Sequence, residues 1–190
     1  MSLTNDLELL ESAIVHAPTS LATSREPFFY LVHPPEQTAE LRRLLPGWIA
    51  SLRNCGRSVR QVSFADLLWE IIEGSGRWQE WIDGEATRLF DREDMNGAVA
   101  STLGSADALI NRVRAELDAV PVNGILLLVD TDALHPFFRV RTLEAGLHDK
   151  VTVPIVVTYP GRRSGHYGLH FLNMYDLDVN YRATLIGGDQ

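Results

Sequence analysis

The chain has 190 residues, 45% of them apolar, 22% charged and 8% aromatic, which is the size and composition of one globular domain with a sizeable core. Seventeen basic residues against 25 acidic give a formal charge of −8, and Lys150 is the sole lysine, so every other basic residue is arginine. That balance excludes a nonspecific polyanion binder, because a net negative surface gains no general counterion-release term, while local binding by an arginine patch stays open.

Cys55 is the only cysteine, so neither an intrachain disulfide framework nor a cysteine zinc site can form, and a reducing compartment is expected. The first residues, MSLTNDLELLES, carry acids where a signal peptide would be basic. No apolar run approaches the roughly 18 residues of a membrane span, so the expected location is cytoplasmic. No repeat, low-complexity segment or Gly/Ser linker divides the chain, and one α/β domain from Met1 to Gln190 is expected.

In chain order, Leu7, Leu10, Ile14 and Leu21 form a weak amphipathic start that Pro18 interrupts. Phe28 to Val32 is short, aromatic and continuous, which predicts a buried strand stopped by His33-Pro34-Pro35. Leu41, Leu44, Leu45, Trp48, Ile49 and Leu52 then share one helical face, in a helix that Pro46 should kink or split. Ser58 to Val62 reads as a weaker second strand. Ser63, as an N-cap, opens a helix through Phe64, Leu67, Leu68, Ile71 and Ile72. Further helical stripes follow through Trp78, Trp81, Ile82, Ala86 and Leu89, and through Ala106, Ile110, Val113 and Leu117. Together these predict a helical insertion from about Ser63 to Val120.

Ile125 to Val129 shows no alternation, as in the centre of a parallel sheet covered on both faces. Pro136 is expected to open the next helix, with Phe137, Val140, Leu143 and Leu147 inward, and Val153 to Tyr159 to return as a buried strand. After a Gly/Arg-rich loop, Pro160 to Gly165, the alternating segments Leu169 to Tyr175 and Tyr181 to Ile186 predict a C-terminal edge hairpin. Strand and helix alternate over most of the chain, which predicts a three-layer α/β sandwich with a mainly parallel sheet.

Ligands of open α/β sheets gather beyond the carboxyl ends of the strands, where this reading collects His33, Asp130, Asp132 and the stretch Tyr159 to Arg163. An apolar strand ending in an acid resembles the Walker B strand of nucleotide triphosphatases, although a strand-end Asp also serves as a turn former or helix cap. The phosphate loop such an enzyme needs, G-x-x-x-x-G-K-[ST], is missing. His33-Pro34-Pro35-Glu36 follows the first strand instead, with two prolines that donate no amide and an acid that repels phosphate. A P-loop-like topology would therefore belong to a non-hydrolysing relative.

Asp130-x-Asp132 also matches the core of haloacid-dehalogenase-type phosphatases, but no Asp-Asp pair follows to hold their metal. His166 and His170 would be roughly 13 Å apart on a strand, too far to share one ion. Arg162 and Arg163, flanked by Gly161 and Gly165, are candidates for binding an anion or an acidic partner, or for an internal ion pair with Asp130 or Asp132. Trp78 and Trp81 stand among Gln79, Glu80 and Asp83, so they either fill a core or present one ring at an interface. Charge is segregated: Leu41 to Ala65 holds five arginines, Arg42, Arg53 and Arg57 among them, and no acid, whereas Asp66 to Asp94 holds nine acids and three arginines. A basic segment beside an acidic one suits docking on proteins, and direct DNA contact through Arg42 to Arg60 is the less favoured use.

Phe29-Tyr30-Leu31-Val32-His33-Pro34-Pro35, Leu44-Leu45-Pro46-Gly47-Trp48-Ile49, Leu126-Leu127-Leu128-Val129-Asp130, Tyr159-Pro160-Gly161 and Asn180-Tyr181-Arg182-Ala183 together resemble the BrxB family of bacterial BREX (bacteriophage exclusion) defence systems. The similarity covers nearly the whole chain. It implies a bacterial cytoplasmic protein encoded beside a methyltransferase, an ATPase and PglZ, an alkaline-phosphatase-like protein. The implied role is assembly through contact with PglZ and the ATPase, and the family has no established catalytic residues to carry over, so a non-enzymatic adaptor without a cofactor is expected. The competing expectation from the residues alone is a Mg²⁺-dependent nucleotide-binding or phosphoryl-transfer domain using Asp130, Asp132 and Arg162.

Overall fold

The computed structural model describes residues 2–15, 27–87, 91–147, 151–165, 168–178 and 183–188. Pro18, Leu21, Leu89, Lys150, His166 and the stretch Asn180 to Arg182 lie outside them. The strands are β1 (Phe28–His33), β2 (Ser58–Ser63), β3 (Gly124–Val129), β4 (Ile155–Ser164), β5 (Gly168–Phe171) and β6 (Thr184–Gly187). The helices are α1 (Leu3–Val15), α2 (Thr38–Asn54), α3 (Phe64–Gly74), α4 (Trp78–Ala86), α5 (Arg92–Gly104), α6 (Ala108–Asp118) and α7 (Val140–Leu147). The sheet runs β2-β3-β4-β1-β6, parallel throughout, with β5 antiparallel to β4.

The continuous apolar strands occupy the centre, as their lack of alternation requires. Phe28, Tyr30 and Val32 of β1 join Leu126 and Leu128 of β3 in a core under α3, α6 and α7. Phe29 and Leu31 join Ile125, Leu127 and Val129 in a second core under α1 and α2. Helices on both faces of a mainly parallel sheet make the predicted α/β sandwich. The edge strand β2 is more polar, and its exposed Arg60 and Gln61 discourage pairing with another chain. The Trp48 indole Nε1 donates to the Leu7 carbonyl at 3.1 Å and Ser51 Oγ to Glu11 at 2.7 Å, which fastens α1 to α2.

Between β2 and β3 the chain forms α3 to α6, where Leu68, Ile72, Trp81, Val99 and Leu103 build a separate small core. The hydrophobic stripes pass over α5, because its Gly97, Ala98 and Ala100 leave little apolar contrast between faces. Its start is nonetheless written in the sequence: Asp91 and Asp94 form a capping box, each carboxylate accepting from the other residue's amide.

Four local expectations are corrected. The α2 helix is not split at Pro46 but runs on as one element, held by five buried apolar residues. The helix after Pro136 begins only at Val140, because Phe137 and Phe138 donate their amides back to Leu134 in a turn. Pro160 to Ser164 is strand rather than loop: β4 outruns its parallel neighbours and its extension pairs with β5, Arg162 opposite His170. Gly161 is required in that pairing, since a Cβ there would lie 2.1 Å from the His170 carbonyl oxygen. The C-terminal hairpin is therefore β4 with β5, and β6 crosses to the far edge to lie parallel to β1.

Candidate functional site

The carboxyl ends of β1, β3 and β4 meet at a crevice lined by His33, Thr38, Arg42, Asp130, Asp132 and Thr158. The chain leaving β1 turns to the face covered by α2, and the chain leaving β3 turns to the opposite face covered by α7. Such a divergence is where open α/β sheets place ligands.

Asp130 caps the end of β3 in the left-handed region, with φ of 60°. One carboxylate oxygen accepts from Arg42 Nε at 3.1 Å and Nη2 at 2.7 Å, and the other accepts from Ser63 Oγ at 2.7 Å. Ser63 in turn accepts from the Asp66 amide at 3.4 Å, its role as N-cap of α3. One carboxylate thus ties together the end of β2, the start of α3 and the first half of α2. Thr131 is buried beside it and its hydroxyl donates to the Thr158 carbonyl.

His33 is buried at the end of β1, and its Nδ1 lies 2.9 Å from the Pro34 carbonyl. A carbonyl only accepts, so Nδ1 carries the hydrogen and Nε2 is left as an acceptor. Burial pushes the imidazole below its ordinary pKa, and the Pro34 hydrogen bond with the charges of Asp132 and Glu36 offsets only part of that. The ring is therefore neutral at neutral pH.

Free volume in the crevice is about 10 Å³, against the roughly 300–1,000 Å³ of small-molecule sites. Where a phosphate loop would stand, Pro34 is followed by a 3₁₀ turn, Pro35–Gln37, whose Gln37 amide is spent on the Pro34 carbonyl. Among the described residues no group of three or more His, Cys, Asp and Glu is placed to hold a metal ion. Nothing in this geometry favours Mg²⁺-dependent phosphoryl transfer.

His33, Asp130 and Asp132 thus come together, whereas Arg162 and Arg163 do not join them. Arg162 is exposed on the β4 extension, and the half-buried Arg163 donates through Nε to the Gly165 carbonyl at 3.0 Å. The arginine that pairs with Asp130 is Arg42, so the internal ion pair exists with a different partner from the one the sequence suggested. Arg57 Nη2 donates to the Ile14 carbonyl at 3.3 Å, and Arg53 is exposed in the last turn of α2. His170 Nδ1 lies 3.1 Å from the Tyr175 carbonyl, a structural hydrogen bond.

The α3 to α6 region differs. An open groove of about 820 Å³ runs between α3, α5 and α6, lined by Glu70, Ser75, Arg77, Ser101, Asn111 and Arg112. Its arginines are engaged, Arg112 with Glu70 and Arg77 with Glu80 at 3.3 Å. Trp81 fills the small core at 2% exposure, while Trp78 is 40% exposed and packs edge-on against Trp69, itself 49% exposed, with ring centres 5.3 Å apart. Trp69 falls outside the apolar stripe of α3 by spacing, and that offset was the signal that it faces outward.

Fold and site together define an α/β sandwich protein whose ligand-position edge is closed by its own side chains. The family model described as BREX protein BrxB matches residues 60–186 of the 190-residue chain. The chain belongs to the BrxB family and so is a component of BREX phage defence. The match runs from within β2 to β6, taking in the helical region and Asp130, and begins after Phe29 to Pro35 and Leu44 to Ile49. No curated protein and no solved structure gives a match. Among the described residues no helix is long and apolar enough to cross a membrane.

Proposed function

We propose that this chain is a non-catalytic adaptor in the cytoplasm, joining other BREX components through protein–protein contacts, with a PglZ-like protein and the BREX ATPase as the partners. The observation that carries this reading is the strand-end crevice, where Asp130 is held by Arg42 and Ser63 and about 10 Å³ is free. A carboxylate whose oxygens are committed to internal donors stabilises the fold and is poorly placed to take a metal. Family membership supplies the setting, and the segregated charge and exposed tryptophans supply surfaces suited to docking.

The test is co-purification, at physiological salt, of the tagged chain from a strain that carries its neighbouring BREX proteins. Retention of the PglZ-like protein or the ATPase is expected, and association with neither would sink the proposal. Calorimetry with Mg²⁺-ATP and a generic phosphatase assay are expected to give neither heat nor turnover; either signal would count against a non-catalytic role.

A further inference from the structure

We propose that the exposed pair Trp69 and Trp78 forms, with the carboxylates beside it, a docking surface for a basic, arginine-bearing segment of a protein partner. The inference rests on the adaptor reading and adds to it the place and chemistry of one contact.

Two large indoles stand edge to face with 5.3 Å between centres, both well exposed, and Ile82 adds a third exposed apolar side chain four residues beyond Trp78. Neighbours at three and four residues share a helix face. On α3 that places the exposed Asp66 and Glu73 beside Trp69, and on α4 it places the exposed Glu85 beside Ile82. Neither helix carries a lysine or arginine. The patch is thus aromatic at its centre and acidic at its edge, and Arg77 at the N-cap of α4 is already paired with Glu80 at 3.3 Å.

A guanidinium satisfies both parts at once, because its planar face stacks on an indole while its edge pairs with a carboxylate. The chain already makes that contact internally: the Arg77 guanidinium carbon lies 5.6 Å from the Trp81 ring centre. Exposed tryptophans are also the side chains on which binding energy concentrates at interfaces. A second copy of this chain, presenting the basic run Arg42 to Arg60, is the competing occupant.

The full chain is titrated, by fluorescence anisotropy, into two short labelled peptides, one alternating arginine with leucine and the other glutamate with leucine. The arginine peptide is expected to bind and the glutamate peptide not to. The Trp69→Ala/Trp78→Ala variant should weaken binding by about tenfold or more, the scale of aromatic hot spots. Glu73→Gln/Glu85→Gln, which alters only exposed side chains, should weaken it several-fold and flatten its salt dependence, and it decides the matter if the tryptophan variant fails to fold. Failure of the arginine peptide to bind at low salt, or equal binding by wild type and either variant, would overturn the proposal. So would sedimentation showing a dimer that the tryptophan variant converts to monomer, since the occupant would then be a second copy. Because no BREX protein is present, a negative result here leaves co-purification intact and so separates this surface from the adaptor role.

Discussion

The carboxyl edge of the sheet and the helical region between β2 and β3 treat their polar and aromatic groups in opposite ways. At the sheet edge, Asp130, Ser63 and Arg42 spend their hydrogen bonds on one another, Thr131 donates to the Thr158 carbonyl, and little free space is left. In the helical region, a wide groove stays open and Trp69 and Trp78 stay half in solvent. The difference teaches that, in this chain, the place where an α/β fold usually binds ligands is filled by its own side chains. The region with the smaller core keeps its groove and two of its indoles accessible, and it is the one we propose for partners.

The contrast can be broken most forcefully within the helical region itself. Trp81→Ala is expected to destabilise by about 3–5 kcal/mol, the cost of emptying a buried aromatic site, and Trp78→Ala by only about 1 kcal/mol, chiefly its edge contact with Trp69. Urea unfolding followed by circular dichroism measures both, and equal losses would show that the two rings share one environment. Next in size is Asp130→Ala, expected to cost about 1–3 kcal/mol because it strands the hydroxyl of Ser63 and the guanidinium of Arg42. Arg42→Ala should cost less, below about 1 kcal/mol, since that side chain is 57% exposed. A larger loss at Arg42 than at Asp130 would contradict the view of the carboxylate as the organising group.

The smallest expected effect is a pH dependence. His33 has a folded pKa below the ordinary 6.5, so the unfolded chain takes up the proton first. The stability gained by burying a neutral ring is fully present above that ordinary value and is lost as pH falls below it, toward the folded pKa. Urea midpoints taken from about pH 7.5 down to about pH 5.5 should therefore fall in the wild type. They should fall less in His33→Gln, which stays uncharged, and parallel slopes would assign the pH dependence to other groups.

The central strands were legible because continuous runs such as Ile125 to Val129 have only one comfortable place, a sheet covered on both faces. The α3 helix was legible because Ser63 and its apolar stripe signal start and face together. The α5 helix was not, since small residues on all sides give no periodicity to read. At the crevice, His33, Asp130 and Asp132 could be placed at strand ends from local pattern. The partner of Asp130 could not, because Arg42 is 88 residues away and five arginines of the same segment were equally eligible by charge.

The sequence by itself determined an alternating α/β chain, a buried central sheet, the absence of a Gly-Lys phosphate loop and the separation of basic from acidic segments. Each is a local property, set by side-chain period, by which residues stand in one short loop and by net charge. Only the tertiary structure decided that β6 crosses to lie beside β1, that Asp130 closes on Arg42 and Ser63, and that Trp81 is buried while Trp69 and Trp78 are not. These depend on which distant segments arrive at the same point in space. Sheet order and helix docking set that, and no spacing along the chain records it.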